Sequence, residues 1–155
     1  PTGRGAAGYT MPLPEQDEMF DTKGKMIQNI IVSFGGRVAE ELVISDVTTG
    51  ASQDIKQATK MARDMVTKYG MSDDVGLICY DDDDEEVFIG RDMARTRSYS
   101  EGVAEAIDSE VKKIIDHAYS EAKRIITENR EVLDKCANLL LEKEKITKEE
   151  FEALF

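Results

Sequence analysis

The chain has 155 residues, the length of one ordinary domain, with 32 acidic residues against 20 basic ones and a formal net charge of −12. Hydrophobic residues make up 41%, enough for a buried core. The acidic balance argues against a nucleic-acid partner, whose phosphates need Lys and Arg to neutralise them. The longest apolar runs, such as Ile30-Ile31-Val32 and Leu139-Leu140-Leu141, fall far short of the ~20 residues of a transmembrane helix. The start lacks the basic, apolar, small-residue pattern of a signal peptide. Cys79 and Cys136 stand far apart with no second pair, which is neither a zinc knuckle nor a disulfide framework; a reducing compartment is the expected setting.

Residues 1–20 read as loop with a short strand. Tyr9, Met11 and Leu13 alternate with Thr10 and Pro12, the period of a strand, and the prolines at 12 and 14 confine it to an edge. Residues 21–70 read as two helices. The first starts at Asp21 or Thr22, both good caps, and Ile27, Ile30, Ile31, Phe34, Val38 and Leu42 keep one apolar face. That phase runs through Gly35-Gly36. It favours one helix of about twenty residues, with the glycines at a close backbone approach, over two helices split there. A loop from Asp46 leads to a second helix capped near Ser52. Its apolar positions are Ile55, Ala58, Ala62, Met65 and Tyr69, and Gly70 is placed to end it.

Residues 71–97 read as an irregular acidic segment. Val75 to Tyr80 and Val87 to Ile89 flank Asp81-Asp82-Asp83-Asp84-Glu85-Glu86 and suggest a small hairpin with an acidic tip. Those six charges equal half the net charge. They lack the alternating ligands and central glycine of an EF-hand, so a solvated tip is the plainer reading, with a divalent-cation site as the alternative. Residues 98–155 read as helices. Ser98 and Glu101 have capping-box spacing, and Val103, Ile107, Val111, Ile114, Ala118, Ala122 and Ile125 follow as one face. Asn129 is a natural stop. Val132, Leu133, Cys136, Leu140 and Leu141 form a further helix, and Thr147 with Glu150 caps a terminal turn bearing Phe151, Leu154 and Phe155. The fold class is mainly α: a helical bundle with a short N-terminal edge strand and a small acidic hairpin.

No complete active site is visible. His117 is the one histidine, set inside a helix, and reads as a surface or half-buried residue. No Ser/His/Asp set and no phosphate loop with its lysine occur. The most unusual segment is Thr48-Thr49-Gly50-Ala51-Ser52-Gln53-Asp54. It places a carboxylate in the first turn of a helix just after a glycine-containing loop. There Asp54 complements the helix macrodipole.

Several segments, in order, resemble the peptidase domain of the FtsH family of membrane-anchored, ATP-dependent zinc metalloproteases. They are Gly8-Tyr9-Thr10-Met11-Pro12-Leu13-Pro14, Gly35-Gly36-Arg37-Val38-Ala39-Glu40-Glu41-Leu42, Thr49-Gly50-Ala51-Ser52 with Asp54-Ile55, and Met65-Val66-Thr67-Lys68-Tyr69-Gly70-Met71-Ser72. Gly90-Arg91-Asp92, Ser98-Tyr99-Ser100 and Glu128-Asn129-Arg130 complete the set. The family's catalytic His-Glu-x-x-His helix, its AAA ATPase module with ATP, and its membrane anchor all lie upstream of the Gly-Tyr-Thr segment. Residues 1–155 therefore resemble the C-terminal part of a zinc metallopeptidase domain, with no catalytic residue of their own, and the chain is expected to be soluble and inactive alone.

The resemblance implies that Asp54 is the third zinc ligand, beside two histidines one helical turn apart, with the motif's glutamate as general base. It makes Glu40 a candidate to hydrogen-bond a ligating histidine, with Glu41 behind it. It also makes Tyr9, Thr10 and Met11 an edge that accepts extended protein substrates by backbone pairing. The parent would be a homo-hexamer with this domain on the cytoplasmic side of a membrane. The rival reading is a non-catalytic helical scaffold serving ring assembly, against which the retained Asp54 speaks.

Overall fold

The computed structural model describes residues 9–12, 19–80 and 99–155. It divides into two compact units, Thr22–Ile125 and Pro1–Asp21 with Ile126–Phe155. In the larger unit Thr22 caps helix α1, Lys23–Ser33, its Oγ1 accepting the Lys25 N–H at 3.1 Å. One turn further on, Met26 and Ile30 are buried. At Phe34 the ladder changes: its N–H donates to the Ile31 carbonyl three residues back, at 3.1 Å. Helix α2, Gly35–Val43, then begins.

The expected single helix is thus two, and the break falls one residue before the glycine pair. The apolar phase survives because Phe34 keeps a right-handed conformation (φ −89°, ψ −5°), so Ile30, Phe34 and Val38 all remain buried on one face. Hydrophobic period alone therefore could not reveal the break. The expected close backbone approach at the glycines does not occur among the described residues. A Cβ built on Gly35 or Gly36 meets nothing within 4 Å among the described residues.

A 3₁₀ turn at Thr49–Ala51 leads into α3, Ser52–Thr67. Helix α1 lies against α3, where Ala58 and Ala62 are buried and their short side chains permit close packing. Met65, Val66 and Thr67 are also buried, while Ile55 and Tyr69 are exposed. Gly70 ends the segment in the left-handed region (φ +62°), and the Met71 N–H returns to the Met65 carbonyl at 2.8 Å. A Cβ on Gly70 would lie 3.0 Å from Leu77 Cδ2 and 3.4 Å from Leu77 Cα. Conformation and space both select glycine there.

Val75 to Tyr80, expected as one arm of a hairpin, is irregular. Gly76 N–H closes a turn onto the Ser72 carbonyl at 2.8 Å, and Tyr80 N–H bonds the Thr67 carbonyl at 2.7 Å. These two bonds tie its ends to the turn and to the end of α3. The acidic run, the second arm and Ser98 lie outside the described residues.

Helix α4, Glu101–Glu128, starts beside Ser100, whose Oγ accepts the Val103 N–H at 3.3 Å. It buries Ala104, Ile107, Val111, Ala118 and Ala122, and His117 is exposed. Polar contacts stitch α4 to the rest of its unit. Arg63 pairs with Asp108 at 3.3 Å, Ser72 Oγ donates to Glu110 at 3.0 Å, and Lys113 reaches Asp74 at 3.5 Å. Lys113, above all, holds the Glu110 carboxyl below the usual glutamate range, with Asp74 and Ser72 adding hydrogen bonds.

In the smaller unit α5, Arg130–Lys143, follows Asn129, the expected stop. Glu144 turns left-handed (φ 63°), and Thr147 caps α6, Lys148–Glu152, by accepting the Glu150 N–H at 3.3 Å. Residues 9–12 carry no strand. The expected edge strand is not shown, since a ladder needs a neighbouring strand and none occurs among the described residues. Leu13 lies outside them. No described helix is long and apolar enough to cross a membrane, and neither Cys79 nor Cys136 forms a disulfide among the described residues.

Gly70→Ala is expected to destabilise the chain by about 1–2 kcal/mol, the cost of a left-handed L-residue. Gly36→Ala sits in open helical space and should instead stabilise it by about 0.5–1 kcal/mol. Urea unfolding followed by helix ellipticity measures both. Equal effects would show that the turn at Gly70 carries no strain.

Candidate functional site

Asp54 is the third residue of α3 and lies in its first turn. It is exposed, and its carboxylate bonds no described residue. The cap position is taken by Ala51, which makes no side-chain capping bond, so α3 begins without help from Asp54. Capping is thus not what occupies this carboxylate, which is presented outward as an anionic oxygen donor.

What fixes the start of α3 is Glu40. The Thr48 hydroxyl donates to Glu40 Oε1 at 2.7 Å and the Thr48 N–H donates to Oε2 at 3.2 Å, so one residue engages both carboxylate oxygens. Thr48 Oγ1 also accepts the Gly50 N–H at 3.1 Å, starting the 3₁₀ turn. From the same helix Arg37 Nη2 donates to the Thr48 carbonyl at 3.3 Å. A Cβ on Gly50 would stand 3.2 Å from Thr48 Oγ1 and 3.4 Å from Glu40 Oε1, so the turn closes tightly over the carboxylate. The two Thr48 hydrogen bonds lower the Glu40 carboxyl below its ordinary value of 4.5, and Arg37 adds a smaller effect in the same direction.

Glu41 faces a different neighbour. It accepts a short hydrogen bond from the Tyr119 hydroxyl, tying α2 to α4. The Tyr119 ring meets Phe34 edge-on, with centroids 6.4 Å apart. That bond to Glu41, then burial, pushes the Tyr119 hydroxyl above its ordinary range. Adjacent glutamates thus do separate work: Glu40 holds a loop and Glu41 holds a helix.

The structure brings Glu40 to the loop that carries Asp54. Tyr9, Thr10 and Met11 are exposed and belong to the smaller unit. The sequence reading missed Arg37 and Thr48 as partners of Glu40. Their signal was present: both lie in singled-out segments, and Arg37 and Glu40 are three apart on one helix. Among the described residues no group of three or more His, Cys, Asp or Glu could hold a metal ion. A protein zinc site needs three or four ligands, so Asp54 fits zinc as one donor and the others must come from elsewhere.

The depressed Glu40 value has a consequence for acid stability. A group whose folded value lies below its unfolded one stabilises the fold above about 4.5 and loses that contribution as pH falls through the folded value. Glu40→Gln should therefore flatten the acid limb of the stability profile, read as urea midpoints from about pH 6 down to about pH 3. An unchanged limb would mean the Thr48 bonds do not distinguish charged from neutral Glu40.

Against known proteins, the profile of Peptidase family M41 matches residues 1–154. The chain is 56% identical over 149 residues to the ATP-dependent zinc metalloprotease FtsH of Caldicellulosiruptor bescii, covering 96% of this chain and 24% of that protein. It is 51% identical over all 155 residues to FtsH 1 of a Thermoanaerobacter species, 25% of that protein's length. It is 48% identical over 150 residues to FtsH of Ruminiclostridium cellulolyticum, covering 97% of this chain and 24% of that protein. The chain thus spans about a quarter of the length of these curated relatives. A match of this extent, over a helical unit that sets an outward carboxylate on a fastened helix start, assigns the chain to Peptidase family M41.

Proposed function

We propose that this chain is the C-terminal part of the peptidase domain of an ATP-dependent zinc endopeptidase that degrades unfolded or membrane proteins. The single observation that carries the reading is Asp54, an exposed carboxylate on a helix start held in place by other residues. The names of the relatives, zinc metalloproteases that depend on ATP, agree with it. Asp54 supplies one anionic oxygen ligand, and two histidines and a general-base glutamate come from a His-Glu-x-x-His helix outside this sequence. Bound zinc would supply Lewis acidity, activating water and polarising the scissile carbonyl.

The remaining parts are assigned to the parent protein. The exposed segment Tyr9, Thr10 and Met11 receives the extended substrate, whose backbone adds to it without reading side chains. ATP is used by an AAA module, a membrane segment anchors the protein with this domain on the cytoplasmic side, and the helical surfaces serve a homo-hexamer. Taken alone, the chain contributes one ligand and no general base, so it should neither hold zinc tightly nor cleave protein. Metal analysis after dialysis should give well under one zinc per chain. Stoichiometric zinc would show that its own residues complete a site.

Asp54→Asn in the full-length protein is expected to abolish proteolysis and leave ATP hydrolysis largely intact. Asparagine keeps the size of the side chain, and α3 does not depend on Asp54 for its cap, so folding tolerates the change. The negative charge is lost, and with it the only anionic protein ligand of the proposed site. Casein degradation and phosphate release, with zinc content on the same sample, measure the effect. Wild-type proteolysis with wild-type zinc would remove Asp54 from the site and make Glu40 or Glu41 the leading ligand candidate.

A further inference from the structure

We propose that Arg37, Glu40 and Thr48 form a positioning clamp that sets the direction in which Asp54 presents its carboxylate to zinc. The inference rests on the reading of Asp54 as a ligand and assigns roles to three residues that do not touch the metal themselves.

The clamp has two fingers on one helix. Glu40 takes the hydroxyl and the N–H of Thr48, at 2.7 and 3.2 Å, while Arg37, one turn earlier on α2, takes the Thr48 carbonyl at 3.3 Å. Every polar group of Thr48 is therefore engaged. Beyond Thr48 the path to Asp54 is short and stiff. Thr48 Oγ1 holds the Gly50 N–H, the Ser52 N–H bonds the Thr49 carbonyl, and Ala51 is buried. Five residues lie between Thr48 and Asp54, and all of them belong to the turn or to α3.

A carboxylate on a free loop would sample many directions, whereas metal ligands must be held within about 0.5 Å of their working geometry. The chain keeps the clamp at a visible cost. Arg37 Nε is buried without a hydrogen-bond partner among the described residues, and such an orphaned donor is unfavourable. The guanidinium is held with its far nitrogen, Nη2, on the Thr48 carbonyl.

The test is a cycle of zinc affinities in the full-length protein, measured by competition with a chromophoric chelator. Thr48→Val keeps the shape and removes the hydroxyl; Thr48→Ser keeps the hydroxyl. Zinc affinity should fall ~10- to 100-fold in Thr48→Val and stay within about twofold of wild type in Thr48→Ser. Hydrogen exchange at the amides of residues 49–54 should quicken in the first and not the second. Thr48→Val combined with Asp54→Asn should bind zinc no more weakly than Asp54→Asn alone, because the clamp acts only through Asp54. If Thr48→Val fails to fold by circular dichroism, Glu40→Gln takes its place in the same cycle. If Asp54→Asn weakens zinc and the clamp variant does not, the clamp is refuted and the ligand reading stands. Additive losses would also refute it, since the clamp would then act elsewhere. If Asp54→Asn leaves zinc affinity unchanged, the ligand reading falls and the clamp falls with it.

Discussion

Both oxygens of the Glu40 carboxylate are spent on Thr48, and the start of α3 follows from that pair of bonds. Thr48 opens the 3₁₀ turn, the turn delivers Ser52 as the first residue of α3, and Asp54 falls in the first turn. Ala51 and Ala58 then meet the core, so the register of α3 against α1 and the outward position of Asp54 have a common origin. A charge-assisted pair of hydrogen bonds is stronger and more directional than neutral ones. It can therefore specify a loop that apolar contacts leave undefined, since residues 43–50 bury nothing.

The larger unit combines two kinds of adhesion. Its interior is built from small and medium residues, with Ala58, Ala62, Ala104, Ala118 and Ala122 among Ile30, Val38, Met65 and Ile107. Its periphery is polar, and α4 is held by Asp108, Glu110, Lys113 and Tyr119. The exposed pairs among these stabilise little individually. Their value lies in fixing the rotation of a 28-residue helix whose alanines alone specify it weakly. The Tyr119–Glu41 contact differs, being partly buried and backed by Phe34.

The smaller unit is of another character. Helix α5 buries no residue fully, and Leu141 and Phe155 stay 83% and 70% exposed. Its order comes from local devices instead: the Asn129 break, the left-handed Glu144, the Thr147 cap and the Lys143–Glu150 pair at 2.9 Å. Such devices act between residues a few positions apart, which is why the helix ends here were legible in the sequence.

The sequence by itself determined the helical class, the caps at Thr22 and Thr147, the stops at Gly70 and Asn129, and the buried face of α4. Each depends on side-chain chemistry at fixed short spacing or on the 3.6-residue period. The same reasoning placed Asp54 at a helix start and singled out its loop. It joined α1 to α2, because Phe34 breaks the ladder while keeping the apolar phase, and a period does not register a single lost bond. It expected a strand at Tyr9 from alternation, which describes a strand's faces but supplies no pairing partner, and no strand occurs among the described residues. Only the tertiary structure shows which partners Glu40 and Glu41 bond. The two neighbours point into different surroundings, and the partners Thr48 and Tyr119 lie 8 and 78 residues away. Contacts at such separations are chosen by the packing of whole helices, and no local pattern encodes them.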